Sequence, residues 1–269
     1  MMLPPFSLIR PTTLEEALGE LNEDRVPYCG GTELLLAIRA GLYRPEALVD
    51  LKRLPELTGV RFEGDQLIIG ATERHEDLAN HPEIRERLPI FAGMEKHIGN
   101  ARVRAQGTIG GNLCFAEPKS DVATVLMALE ATVTMASPTE RRSIPVEELV
   151  VGPYYAEKEP DELLVDVRIP LRADLQGAYV KYQIVERPTV GVAIVTDEAA
   201  GWYRLAVGAV GEVPTAWTFG SLDEIDSQEI ADQVDPTPDL SGSAEYKRHV
   251  TAVYVRRAQA LLAGQVNRD

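Results

Sequence analysis

Adjacent glycines strip a stretch of backbone of side chains and permit positive φ, so a ligand can lie against bare amides. Two such pairs occur, in Tyr28-Cys29-Gly30-Gly31-Thr32-Glu33-Leu34 and in Thr108-Ile109-Gly110-Gly111-Asn112. The chemistry they suit is anion binding, because main-chain N–H groups hold a phosphate without adding charge. A helix starting beyond each loop brings about half a positive charge to the same place. Either pair alone also reads as an ordinary turn. Two of them, far apart in sequence and each following a strand candidate, suit the two halves of a pyrophosphate. Thr32 and Thr108 add hydroxyl groups, and Asn112 adds an amide.

Asp121 offers a carboxylate able to accept from sugar or ribityl hydroxyls, and it also suits the N-cap of the helix DVATVLMALEA. Both roles can hold together. Glu33 reads as a first-turn helix charge, and Glu117 has no chemical role in this reading. Lys181, within the strand candidate AYVKYQIVER, could aim a cation at an electron-rich ring, although an exposed strand lysine is the default.

Other chemistries lack their residues. Neither glycine pair has the GxGxxG spacing of a Rossmann unit, and no GxSxG or GxxxxGK[ST] occurs. Cys29 and Cys114 are the only cysteines, too few for a disulfide scaffold or a cysteine-held iron–sulfur cluster. His75, His81, His97 and His249 show no metal-ligand spacing. The net charge of −15 argues against a nucleic-acid or anionic-membrane surface, so a bound phosphate must be held locally. With no signal sequence and no long apolar run, the expected location is cytoplasmic.

The elements that must position these residues follow from periodicity. Over residues 1–57 a capped helix begins at Thr12-Thr13, followed by the strand VPYC, the helix TELLLAIRAG and the strand ALVDL, a small α/β unit. Residues 58–170 open with the hairpin GVRFEGDQLIIGA. Helical stretches ERHEDLANH, PEIRERL and PIFAGMEKHI follow, then the second glycine stretch, DVATVLMALEA and a hairpin in TVTMASPTERRSIPV. After the strand DELLVDVRIP, residues 171–269 read as a meander of strands rich in Val, Ile and Tyr, with helices packed on one face.

Taken in order, CGGTELL, RPEALVDLKRL, TIGGNLCFAEPKSD, DELLVDVRIP and DLSGSAEYKRHVTAVYVRRA resemble the FAD-binding medium subunit of the molybdenum hydroxylases. This is the family of xanthine dehydrogenase and aerobic carbon monoxide dehydrogenase, and the likeness covers nearly the whole chain. It implies an α+β fold: a two-part FAD-binding domain of the vanillyl-alcohol-oxidase/MurB-like (PCMH) type, in residues 1–57 and 58–170. A C-terminal α+β domain of antiparallel strands packed with helices then occupies residues 171–269.

The resemblance implies FAD as cofactor. Tyr28, Cys29, Gly30, Gly31, Thr32, Glu33 and Leu34, with Thr108, Ile109, Gly110, Gly111 and Asn112, would wrap its pyrophosphate. Asp121 would contact the ribityl region and Ile98 would lie against the flavin, with Leu164 and Lys181 as further cofactor contacts. No catalytic or metal-binding residue is implied in this chain. The implied partners are a large molybdopterin-binding subunit and a small [2Fe-2S] subunit, in a hetero-oligomer such as a dimer of heterotrimers. Electrons would arrive on FAD and leave to an external acceptor. The sequence departs from the family at Cys29, where many relatives have Ala, at Glu117, where Asp is common, and after Lys181, where an acidic residue is missing. A self-contained FAD oxidase or reductase and a flavin-free assembly subunit are the competing readings.

Overall fold

A computed structural model describes residues 3–184 and 187–264. Val185, included in a predicted strand, and Glu186 lie outside the described residues. The chain begins with β1 (Ser7–Ile9), α1 (Leu14–Glu20), β2 (Arg25–Tyr28), α2 (Leu34–Ala40) and β3 (Ala47–Asp50). Thr13 caps α1: its hydroxyl accepts from the Glu16 amide at 3.2 Å, while the Glu16 carboxylate accepts from the Thr12 amide at 2.7 Å. The three strands form a parallel sheet in the order β1-β3-β2.

The middle of the chain comprises β4 (Val60–Glu63), β5 (Gln66–Gly70), α3 (His75–Asn80), α4 (Pro82–Arg87), α5 (Pro89–Lys96), α6 (Ala101–Arg104), α7 (Ile109–Phe115) and α8 (Asp121–Ala128). It continues with β6 (Thr132–Ala136), β7 (Arg141–Pro145), α9 (Val146–Leu149), β8 (Val150–Gly152), β9 (Tyr155–Ala156) and β10 (Leu163–Pro170). A five-stranded antiparallel sheet has the order β4-β5-β10-β6-β7, so β10 is its centre. The last part is a meander of β11 (Leu175–Gln183), β12 (Pro188–Asp197), β13 (Trp202–Gly208) and β14 (Thr215–Phe219), then α10 (Ser227–Gln233) and α11 (Ala244–Leu262). The architecture is α+β, and no helix among the described residues is long and apolar enough to cross a membrane.

Packing fuses the parts. Leu14, Leu18, Leu54 and Leu57 share a core with Ala136, Leu163 and Val165 of the five-stranded sheet. The meander's own helices, α10 and α11, lie on one face, and α8, from earlier in the chain, covers the other. Val190, Val192 and Ile194 of β12 pack with Val250 and Val255 of α11. The alternate residues Ala193 and Val195 join Val122, Val125 and Leu126 of α8. A strand buried on both faces reads as an unbroken apolar run, as TVGVAIV does.

Small residues let α8 come close. A β-carbon placed on Gly208 would overlap the Thr124 hydroxyl and lie 3.1 Å from Thr124 Cβ. Gly208→Ala is therefore expected to destabilise the fold by about 1–3 kcal/mol through overpacking, read as a lower urea midpoint. A midpoint equal to that of the parent would show that α8 does not press on β13.

Candidate functional site

The two glycine segments meet in space, and bare backbone makes the meeting possible. Gly30 lies against Gln106 and Gly107: a β-carbon on Gly30 would come within 2.9 Å of Gly107 Cα. Gly31 has φ of +70°, and a β-carbon there would lie 2.6 Å from the Tyr28 ring, so the turn after β2 demands glycine twice. Around this contact opens a cavity of about 710 Å³, in the range of pockets that bury large ligands. Of the expected site residues, Cys29, Gly30, Gly31, Thr32, Glu33, Leu34, Ile98, Thr108, Gly110, Gly111, Asn112, Asp121 and Leu164 line it. Tyr28, Ile109 and Lys181 do not: Tyr28 supports Gly31, Ile109 is fully buried, and Lys181 stands behind Asp121.

The two segments differ in what they offer a ligand. The amides of Gly31, Thr32, Glu33 and Leu34 donate to no oxygen among the described residues. The second segment is not the bare loop expected from its glycines but the first turn of α7. Thr108 is the N-cap, its hydroxyl accepting from the Gly111 amide at 3.2 Å. The Ile109 amide donates to Glu73 O at 3.0 Å, that of Gly110 to Ala71 O at 3.0 Å and that of Asn112 to Thr108 O at 2.9 Å. From Ile109 to Asn112 the second segment thus has no spare main-chain donors, and its glycines serve approach; the Thr108 amide has no acceptor among the described residues. Gly110 packs on Ala71, and Gly111 presents a bare exposed surface to the cavity. The Asn112 side-chain oxygen accepts from the Ser120 hydroxyl at 2.6 Å, and its NH₂ group donates to no acceptor among the described residues.

Asp121 is buried at the start of α8, whose N-cap is Ser120, so the N-cap reading of Asp121 is corrected. Its Oδ1 accepts from the Tyr179 hydroxyl and its Oδ2 from Lys181 Nζ at 2.9 Å. Lys181 also donates to His97 O at 2.8 Å and is far from an exposed strand lysine, with a side chain 16% exposed. Burial, followed by the Asp121 charge, pushes the Tyr179 hydroxyl well above its ordinary range, so it remains a donor. Each Asp121 oxygen retains a lone pair for a ligand hydroxyl.

Arg187, which sequence reasoning missed, ties the cavity mouth together. It donates to Glu33 Oε1 at 2.6 Å and lies 3.3 Å from Glu117 Oε2, joining both glycine segments to the meander. Burial alone would lower the guanidinium pKa, but the hydrogen bond to Glu33 and the charge of Glu117 hold it above its ordinary value. Glu33 sits at the N-cap of α2 without capping it, and Glu117 now has a partner. Tyr179 and His75 were missed as well. Nothing in the sequence marks Arg187 or Tyr179, whose partners lie far along the chain, while His75 falls in an unremarkable helix start.

The residues fit a dinucleotide. Unpaired amides in the first loop can hold phosphate, Asp121 can accept from polyol hydroxyls, and Ile98 and Leu164 give an apolar wall. Comparison with known proteins agrees. Residues 4–172 match the family model described as FAD binding domain in molybdopterin dehydrogenase. The chain is 31% identical to the carbon monoxide dehydrogenase medium chain of Hydrogenophaga pseudoflava, covering 96% of this chain and 97% of the relative. It is also 31% identical to the nicotine 6-hydroxylase medium subunit of Paenarthrobacter nicotinovorans, covering 96% and 97%. Among solved structures, reconstituted CO dehydrogenase from Oligotropha carboxidovorans superposes with a TM-score of 0.92 at 27% identity, covering 99% of this chain and 100% of that one. Quinoline 2-oxidoreductase from Pseudomonas putida 86 gives 0.89 at 26% identity, with 99% and 100% covered.

Both cysteines line the cavity as free thiols. Burial pushes the Cys114 thiol up to about 11. Burial also raises Cys29, while the Thr108 hydroxyl and Lys52 pull it back. Alkylation of Cys114 should be very slow at neutral pH and quicken about tenfold per pH unit below its pKa, with Cys29 labelled first. Mass spectrometry after iodoacetamide treatment checks this, and rapid labelling of Cys114 at pH 7 would contradict its raised pKa.

Proposed function

Because the chain belongs to the FAD-binding medium subunits of the molybdenum hydroxylases, we propose that it receives electrons from a small [2Fe-2S] subunit and passes them through FAD to an external acceptor. A large molybdopterin-binding subunit would oxidise the substrate, and the three chains would form a hetero-oligomer. The names of the medium chains in several relatives support such an assembly. We propose the cytoplasm as its location, supported by two cysteines that stay free. The division into residues 1–57, 58–170 and 171–269 is supported by one principal sheet within each span.

The observation that carries the reading is the cavity itself, whose lining includes both unpaired main-chain donors and a positioned carboxylate. FAD, when bound, supplies the ability to exchange electrons singly or in pairs; the protein's work is binding, orientation and tuning. Gly31 to Leu34 would take a phosphate oxygen on their amides, with the Thr32 hydroxyl beside them. Asn112 would add a donor from the second segment, Gly111 would allow close approach, and Asp121 would accept from ribityl hydroxyls. Tyr179 and Lys181 fix Asp121 in that role from β11, which makes the meander part of the binding site. Ile98 and Leu164 would lie against the ring system and keep water from it.

The purified chain or its complex is expected to carry a yellow chromophore absorbing near ~450 nm, the ordinary flavin region for a cofactor of this kind. Gly111→Leu tests the site, because its backbone is helical and its side-chain direction meets only Thr108 Oγ1 before the cavity. The variant should fold, as read by circular dichroism, and lose roughly a hundredfold in FAD affinity, about 2.7 kcal/mol. Unchanged FAD affinity in the folded variant would remove this cavity as the cofactor site. Turnover of a small donor by the isolated chain without partners would favour a self-contained oxidoreductase instead.

A further inference from the structure

One buried titratable pair is unused by the reading above. His75 is 2% exposed and Glu95 is 0% exposed, and His75 Nδ1 lies 2.7 Å from Glu95 Oε2. Glu95 Oε1 has no hydrogen-bond partner among the described residues. A carboxylate so enclosed, with a single polar neighbour, is costly to bury as a lone ion and must share its charge or a proton with that neighbour. Glu95 therefore fixes which atom of the imidazole points where: Nδ1 is committed to the carboxylate, and Nε2 is left for something else.

What Nε2 faces is the junction of the glycine segments. The His75 amide donates to Gly107 O at 3.1 Å, and a β-carbon on Gly107 would lie 3.1 Å from His75 Cδ2 and 3.4 Å from Nε2. Gly107 is the residue against which Gly30 packs, and His75, Gly107 and Gly30 all line the cavity. Nε2 has no protein partner among the described residues. The other cations lining the cavity are engaged: Lys119 with Asp239 at 2.6 Å, Arg187 with Glu33 at 2.6 Å, and Lys158 with Glu159 O at 3.2 Å. The amides of α7 are engaged too.

We propose that His75 is a cofactor-binding residue that donates Nε2–H to the diphosphate of the bound dinucleotide, with a second proton lying between Nδ1 and Glu95 Oε2, and that Glu95 is the positioning residue that orients the ring. The inference rests on the FAD reading of the cavity. It adds a side-chain donor beside the second glycine segment, whose amides from Ile109 to Asn112 are already engaged. Without it, the diphosphate would be held mainly from the side of the first loop.

The test uses the full chain, or the complex in which it is purified, and compares it with two variants. His75→Phe combined with Glu95→Leu replaces both members by apolar groups of similar size, which avoids leaving one buried polar partner alone. Glu95→Gln keeps the shape and removes the charge. FAD affinity is read from flavin fluorescence, and the ³¹P resonances of bound FAD report the diphosphate directly. The double variant should bind FAD about tenfold or more weakly and shift the ³¹P lines, while Glu95→Gln weakens binding by a smaller factor and also moves them. A purely structural pair would change the melting temperature but leave the ³¹P lines in place. A double variant with parental affinity and unshifted lines overturns the role of His75. If the double variant does not fold, unshifted lines in Glu95→Gln overturn it. If the parent itself binds no FAD, the functional reading fails first, and this inference with it.

Discussion

Everything at the cavity depends on one backbone-to-backbone contact, that of Gly30 against Gln106 and Gly107. Side chains at either position would hold the segments apart by the width of a β-carbon or more. With them absent, the turn after β2 lies directly on the approach to α7, and a single ligand can touch both. The contact also explains why the first loop keeps unpaired amides. Its residues are braced by packing, with Gly30 on Gly107 and Gly31 on the Tyr28 ring, so their N–H groups need not be used to hold the loop together.

The arrangement suits an acidic chain. At a net charge of −15, a diphosphate meets unfavourable long-range potential, and Glu33, Glu117, Asp121 and Glu162 line the cavity itself. Pairing handles most of that local charge: Arg187 sits between Glu33 and Glu117, Lys181 holds Asp121 and Arg142 holds Glu162. Neutral donors would then carry the recognition of a diphosphate, and these act at short range and tolerate salt better than exposed charges. The meander contributes through β11, where Lys181 and Tyr179 stand two residues apart and so reach the same face. A strand outside the glycine segments thus fixes the Asp121 carboxylate.

Much of this was legible in the sequence. The Gly30-Gly31 turn, the hairpin around Gly64, a threonine cap at Thr12 or Thr13 and the C-terminal helix were all given by local pattern, and the resemblance of the ordered motifs identified the family. The second glycine pair misled. Two glycines cost a helix about 1 kcal/mol each relative to alanine, so IGGNLCF reads as a loop. The Thr108 cap and the close seat on Ala71 outweigh that cost. The two-sided burial of β12 had a signal in the unbroken run TVGVAIV, but the helix that covers its second face comes from far earlier in the chain. His75 with Glu95 and Arg187 with Glu33 are pairings of tertiary structure, and no spacing announces them.

The central claim is that first-loop amides, rather than those of α7, receive the ligand. Hydrogen–deuterium exchange, with and without FAD, addresses it residue by residue. The account predicts that the amides of Gly31 to Leu34 exchange quickly in the free protein and become protected when FAD is added, while those of Ile109 to Asn112 are slow in both states. Protection gained at Ile109 to Asn112, with no change at Gly31 to Leu34, would contradict it.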